Sequence, residues 1–356
     1  MPDIVSFRCA DYALRMKDPT WRSAGGVFSA IEGLVIILGS SEGRQGRGIV
    51  TLPRGSGLTA TSARECLEAA WPKVEGRDVV EVAGILADLE ALRQIPTFVL
   101  CGLDAALHEL MAVTLDVPLA ALFGGVVHRR IAQARMVPIK EPGEMARVAA
   151  GFVADGYRHI KVKVNGEAGD VERLRAVRGA LDPAIGLVVD ANQALGVKEA
   201  CQLAEVLAEL NVAIFEQPTA AGDLEGLRSV RQASSVPVEA DEAAGSLDSV
   251  KRILDMGAAD IVNLKAPKAG GLRNMQRAAH LCEAAGIPYR FGTTFVSTLM
   301  QAQTLEVAAT LPDHAWASEL AVFDDYAQDP FTGLSVTQGE MSPSLQPDSG
   351  VRAVPS

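Results

Sequence analysis

The chain has 356 residues, 48% of them hydrophobic, and a formal net charge of −11. That length accommodates one large domain and a smaller one, and the acidic balance without a basic tract argues against nucleic acid and anionic membrane as partners. No apolar run approaches the roughly 20 residues that span a bilayer, and the start MPDIVSFRCADYALRM lacks the continuous apolar stretch of a secretory leader.

Five scattered cysteines (Cys9, Cys66, Cys101, Cys201, Cys282), odd in number and never in a CxxC pair, read as reduced thiols of a cytoplasmic protein. From about residue 130 the chain alternates short β-rich runs with longer amphipathic runs. In chain order the predicted strands are ARMVPI (134–139), HIKVKV (159–164), GLVVD (186–190), VAIFE (212–216), VPVEA (236–240), DIVNLK (260–265), PYRFG (288–292) and WASEL (316–320). Helical patterns lie between them, as in VKEACQLAEVLAEL (197–210) and LRNMQRAAHLCEAAG (272–286). Strand–helix alternation implies parallel strands with helical crossovers, and eight such strands suffice to close a (β/α)8 barrel.

HIKVKV places Lys161 and Lys163 on one face of a strand and Ile160, Val162 and Val164 on the other. Two adjacent ammonium groups repel and depress each other's pKa, so that face needs water or negative partners. Such partners recur at regular intervals. Lys163, Asp190, Glu216, Asp241 and Lys265 each close an apolar run, with successive gaps of 27, 26, 25 and 24 residues. In a parallel barrel all five emerge at the C-terminal rim, where active sites sit. Three neighbouring carboxylates call for a cation, and hard oxygen donors suit Mg²⁺, with Mn²⁺ as a substitute. No Cys or His stands on the ladder, which disfavours zinc. Lysines on the second and sixth strands face each other across the mouth. That arrangement suits removal of the proton α to a carboxylate, because a divalent ion at the carboxylate oxygens stabilises the enediolate. A lysine base must be neutral near pH 7, and a neighbouring ammonium and a metal both push it that way.

These motifs resemble those of the enolase superfamily, in the muconate lactonising enzyme subgroup. The matching segments are K-x-K at 161–163, DAN at 190–192, EQP at 216–218, ADE at 240–242, NLKAPKAGG at 263–271 and GLDAALHELMAVTLDVPLAALFGG at 102–125. The resemblance implies a (β/α)8-type TIM barrel (126–320), an N-terminal α+β capping domain (1–125) and a C-terminal segment (321–356) packing back on the cap. It implies Asp190, Glu216 and Asp241 as metal ligands, Lys163 and Lys265 as the acid/base pair, and Lys161 as support for the enediolate. A small-molecule carboxylate substrate and a homo-oligomer are implied with it. MKDPTWRSAGG (16–26) occupies the place of the family's mobile specificity loop, which makes Trp21 and Arg22 candidate substrate contacts. Arg54 in LPRGSG (52–57) is a further candidate, and Glu319 at the end of the eighth strand could orient substrate or Lys265. Mandelate-racemase relatives would carry a His–Asp pair on strands seven and six, and PYRFG contains no His.

Each residue taken alone has a plainer use. Asp190 could be a helix N-cap, Lys265 a solvated strand end, and Glu319 a salt-bridge residue, though the site is favoured for each, for Asp190 by the regular spacing. Glu242 is expected to pair with a rim lysine, Lys268 to be structural, and Asn192 either to reach the metal shell or to cap a helix. The histidines, His314 among them, show no ligand spacing. The favoured reaction is racemisation or epimerisation of an amino-acid derivative, with cycloisomerisation or β-elimination as alternatives by the same machinery. Glu319-Leu320-Ala321 lacks the D-x-D with which dipeptide epimerases of the family bind the substrate amine, which disfavours dipeptides.

Overall fold

The computed structural model describes residues 1–312 and 315–354. His314 therefore lies outside the described residues, as do the last two positions of the C-terminal segment. Three antiparallel strands come first: β1 (Ile4–Met16), β2 (Ala30–Ser40) and β3 (Gln45–Thr51). Helices α1 (Ala60–Ala70), α2 (Val82–Ala91) and α3 (Thr97–Leu115) follow. The alternate glycines of QGRG decide how this cap packs. A Cβ on Gly48 would lie 1.9 Å from the carbonyl of Gly102, and one on Gly46 would lie 2.3 Å from that of Ala106. Only glycine lets α3 lie this close to the sheet. By length and composition α3 could cross a membrane, yet it is mostly buried against β3 and the rest of the protein.

Gly124 and Gly125, with φ of 108° and 87°, end a short helical turn and lead into the barrel. Its strands are β4 (Ala134–Val137), β5 (His159–Lys163), β6 (Gly186–Asp190), β7 (Ile214–Glu216), β8 (Val238–Ala240), β9 (Ile261–Leu264) and β10 (Tyr289–Phe291). Each pairs in parallel with the next. The eighth strand, expected over 316–320, shrinks to the neighbourhood of Ser318. There the Ala134 N–H donates to the Ser318 carbonyl at 2.7 Å, Ser318 N–H to Ala132 at 2.9 Å, and Glu319 N–H to Phe291 at 2.7 Å. Those three bonds tie the segment to both edge strands and close the ring. The result is a TIM-type barrel under an α+β cap.

The crossovers are α4 (Pro142–Ala154), α5 (Asp170–Gly179), α6 (Val197–Glu209), α7 (Leu224–Ala233), α8 (Leu247–Met256), α9 (Leu272–Ala285) and α10 (Thr298–Ala308). On α6 the buried residues are Ala200, Leu203, Ala204 and Leu207, one helical stripe turned to the strands. α8 shows both ends of the sequence logic. Ser246 and Ser249 form a capping box at its start, and Gly257 in the left-handed region ends it. After the barrel, β11 (Tyr326–Gln328) pairs antiparallel with the end of β1, so the C-terminal segment returns to the cap sheet.

Cap and barrel are joined through Asp104 of α3. Its Oδ2 accepts the backbone N–H of Leu272 at 2.6 Å, capping α9 from another element. Gly271 makes room: its φ is +138°, and a Cβ there would lie 2.5 Å from Asp104 Cγ. The two motifs GLD and GG, 168 residues apart, are one contact. Asp104→Ala is expected to cost about 1–2 kcal/mol, seen as a lower urea midpoint with an unchanged slope. A midpoint equal to wild type would contradict this role.

Candidate active site

Alternation along β5 turns Ile160 and Val162 outward to the helices, and Lys161 and Lys163 into the barrel, where they are 1% and 6% exposed. Parallel register sets Lys163 beside Asp190, and Asp190 beside Glu216. Asp241 and Lys265 each follow the last residue of their strand, β8 and β9. One oxygen from each of Asp190, Glu216 and Asp241 lies within 4.8 Å of the others, and all three residues are buried. Lysines surround them. Lys161 Nζ lies 3.0 Å from Asp190, 2.7 Å from Glu216 and 2.8 Å from Glu319. Lys163 lies 2.5 Å from Asp190, and Lys265 2.6 Å from Asp241.

Burial alone would lower the Lys161 ammonium, but Asp190, Glu216 and Glu319 outweigh it and hold it well above its usual value. Lys265 is likewise raised, because Asp241 outweighs its burial. Among the acids, burial is overcome at Asp190 by Lys161 and Lys163, and at Asp241 by Lys265 and Lys268, so both carboxyls sit well below the ordinary range. Glu216 is pushed up by burial and by the charge of Asp190.

Above the cluster opens a cavity of about 1050 Å³. Lys163, Lys265 and Lys268 line its floor, and Trp21, Phe28 and Phe295 its wall. The three rings pack edge-on or tilted at 4.8–5.8 Å between centroids, which makes a continuous apolar surface. Gly292 makes room for the Lys265 side chain, since a Cβ there would lie 2.3 Å from Asn263 Oδ1 and 2.7 Å from Lys265 Cε.

The candidates from sequence divide by position. Lys163, Lys265 and Trp21 reach the cavity, and Lys161 sits beneath it on the triad. Arg22, one residue beyond Trp21, turns outward to Glu167 at 3.0 Å. Arg54 lines the cavity and donates to the Val27 carbonyl. Glu319 is enclosed, facing Lys161 and, at 2.5 Å, Arg290. Glu242 takes Asn192 as its hydrogen-bond partner, at 3.0 Å, where a lysine was expected. Lys268, read from sequence as structural, lies 2.9 Å from Asp241. The signal was available: it stands three residues after Lys265 on a helical turn, which brings the two side chains to one side. Sequence reasoning missed Arg290 and Glu239, two charged residues in mid-strand.

The donor set fits a hard divalent cation. Three carboxylates converge from adjacent strands, buried, with oxygens as their only ligand atoms. Asp190, Glu216 and Asp241 would hold it.

The family model described as enolase C-terminal domain-like matches residues 144–353. The L-Ala-D/L-Glu epimerase of Clostridium acetobutylicum is 28% identical over 302 residues, 83% of each chain. The N-succinyl-L-Arg/Lys racemase of Bacillus cereus is 31% identical over 211 residues, 58% of this chain and 57% of that one. In fold, the muconate lactonizing enzyme of Pseudomonas fluorescens superposes with a TM-score of 0.95 at 22% identity, over 99% of this chain and 97% of that one.

Titration with Mn²⁺, followed by the electron paramagnetic resonance of the free ion, checks the donor set. Asp190→Asn, Glu216→Gln and Asp241→Asn are each expected to weaken binding at least about tenfold, as loss of a metal's supporting groups does. Three variants with wild-type affinity would rule the triad out.

Proposed function

This chain belongs to the enolase superfamily, within the muconate lactonising enzyme subgroup, and on that premise we propose that it racemises or epimerises a small carboxylate by moving its α-proton. One observation carries the reading. Lys163 and Lys265 reach the same cavity from β5 and β9, strands four places apart in a ring of eight, with the carboxylate triad between them. Mg²⁺ is the proposed ion. Bound by Asp190, Glu216 and Asp241, it would supply positive charge to the substrate carboxylate and so favour the enediolate.

The side chains perform the rest. A divalent ion held by Asp190, Glu216 and Asp241 would offset the negative charge that keeps the lysines protonated; the Nζ lone pair of one lysine, neutral under that charge, takes the α-hydrogen as a proton, and the C–H electron pair passes into the carboxylate as the enediolate. Lys161, fixed by Glu216 and Glu319, brings an ammonium beside that developing charge. The opposed lysine, as an ammonium, returns a proton to the other face of the same carbon. The net change is inversion, with one lysine gaining the proton that the other loses.

For the substrate we propose an amino-acid derivative with an apolar group and an uncharged nitrogen. The wall of Trp21, Phe28 and Phe295 supports the apolar group. Glu319 is engaged by Lys161 and Arg290, and Ala321 stands where a second acid would complete D-x-D, so neither offers a carboxylate to a free ammonium. Glu319-Leu320 resembles the cycloisomerase pattern, so cycloisomerisation is the second reading, with β-elimination open to the same enediolate.

Proton NMR in D₂O distinguishes these courses. Lys163→Ala and Lys265→Ala are each expected to abolish net turnover. In the two-base course, at least one of them still exchanges the α-proton of a single enantiomer. Wild-type rates in both variants would refute the assignment. For the wall, Trp21→Ala is expected to raise KM for substrates with apolar side chains by roughly tenfold or more, from about 1.5–3 kcal/mol of lost burial. An unchanged KM would remove Trp21 from the substrate site.

A further inference from the structure

The proposed reaction leaves two charged residues in the barrel interior without a task. Arg290 stands mid-strand in β10 and Glu239 mid-strand in β8, and both are fully enclosed. Arg290 donates from Nε to Glu239 Oε1 at 2.6 Å and from Nη2 to Glu239 Oε2 at 2.8 Å. Nη2 also donates to Glu216 Oε2 at 2.7 Å. Nη1 donates to the Ala317 carbonyl at 3.3 Å and lies 2.5 Å from Glu319 Oε1. One guanidinium thus engages three carboxylates from three different staves of the barrel.

Stability alone gives no reason for such a group. Apolar residues of similar volume often replace a buried ion pair at no cost, or with a gain. The barrel already uses that solution nearby, where Val188, Ile214 and Ile261 form an apolar cluster. What a guanidinium adds is direction, because its planar fork fixes several acceptors at once. Direction is needed here. Glu216 and Glu239 are register partners on β7 and β8, and two carboxylates side by side push apart. Arg290 clamps Glu239 by both oxygens and holds Glu216 by one. Through its other nitrogen it holds Glu319 against Lys161, 2.8 Å away.

The geometry points to Arg290, seated on Glu239, as a positioning residue that aims Glu216 into the divalent-ion site and Glu319 at Lys161. It touches neither substrate nor ion and acts through those two acids. This inference rests on reading the triad as a metal site, and the test separates the two.

Mn²⁺ affinity, and the resonance spectrum of the bound ion, are measured for wild type, Arg290→Lys and the apolar double variant Arg290→Met with Glu239→Leu. Urea midpoints are measured alongside. The double variant removes both charges, so no buried carboxylate is stranded at position 239. Arg290→Lys keeps the charge but loses the fork, and it carries the test where the double variant does not fold. Mn²⁺ affinity is expected to fall by about 10–100-fold with an altered bound spectrum, whatever the midpoint does. Wild-type affinity and spectrum in a folded variant would overturn the role of Arg290 and leave the metal site standing. A wild-type chain that binds no Mn²⁺ would overturn both.

Discussion

Three carboxylates within 4.8 Å of one another, all out of water, stay ionised together only beside positive charge. The rest of the barrel mouth follows from that constraint. Asp190, Glu216, Glu239, Asp241, Glu242 and Glu319 crowd one end of the sheet. Lys161, Lys163, Lys265, Lys268 and Arg290 stand among them. Removing Arg290, the cation bound to Glu239, would leave that acid uncompensated in a medium of low polarity, which costs far more than the pair contributes to stability. The cluster therefore holds each member in place, and the place is set by strand register. Lys163, Asp190 and Glu216 are consecutive register partners, so their geometry is as rigid as the sheet.

Around this fixed floor the cap supplies shape. Trp21 lies on a segment whose Arg22 carbonyl accepts the N–H of Ile139, just beyond the first barrel strand, at 2.8 Å. Arg22 and Glu167 add an exposed pair, worth little on its own. The contact of Asp104 with the start of α9 sets the cap on the barrel. On the proposed reading, chemistry belongs to the strands and selectivity to the cap, as in other barrels whose loops define the substrate.

Most of the floor was legible in the sequence because a barrel repeats. Each unit is a strand, a rim residue and a helix, so charged residues recurring at the ends of apolar runs mark one surface. The parallel order of the strands and the three acids followed from that repeat. What escaped had no repeat behind it. Arg290 lies between Tyr289 and Phe291, and nothing local tells whether it faces water or the barrel axis. Its partner Glu239 is 51 residues away. The eighth strand narrowed to Ser318 because only a few backbone bonds were needed to close the ring. Arg22 and Trp21 are neighbours on an extended segment, so their side chains face opposite ways, and only one reaches the cavity. The acids that raise Lys161 were hidden for a different reason. K-x-K displays the repulsion between two ammonium groups, while the acids that outweigh it come from other strands.

Anomalous diffraction from a crystal of this chain grown with Mn²⁺ tests the central claim most directly. The account predicts one strong manganese peak at the barrel mouth, with oxygens of Asp190, Glu216 and Asp241 as its protein ligands and Lys163 and Lys265 on opposite sides of it. A fully resolved mouth with no peak there, or a manganese held by other residues while the lysines keep the three acids to themselves, would contradict it.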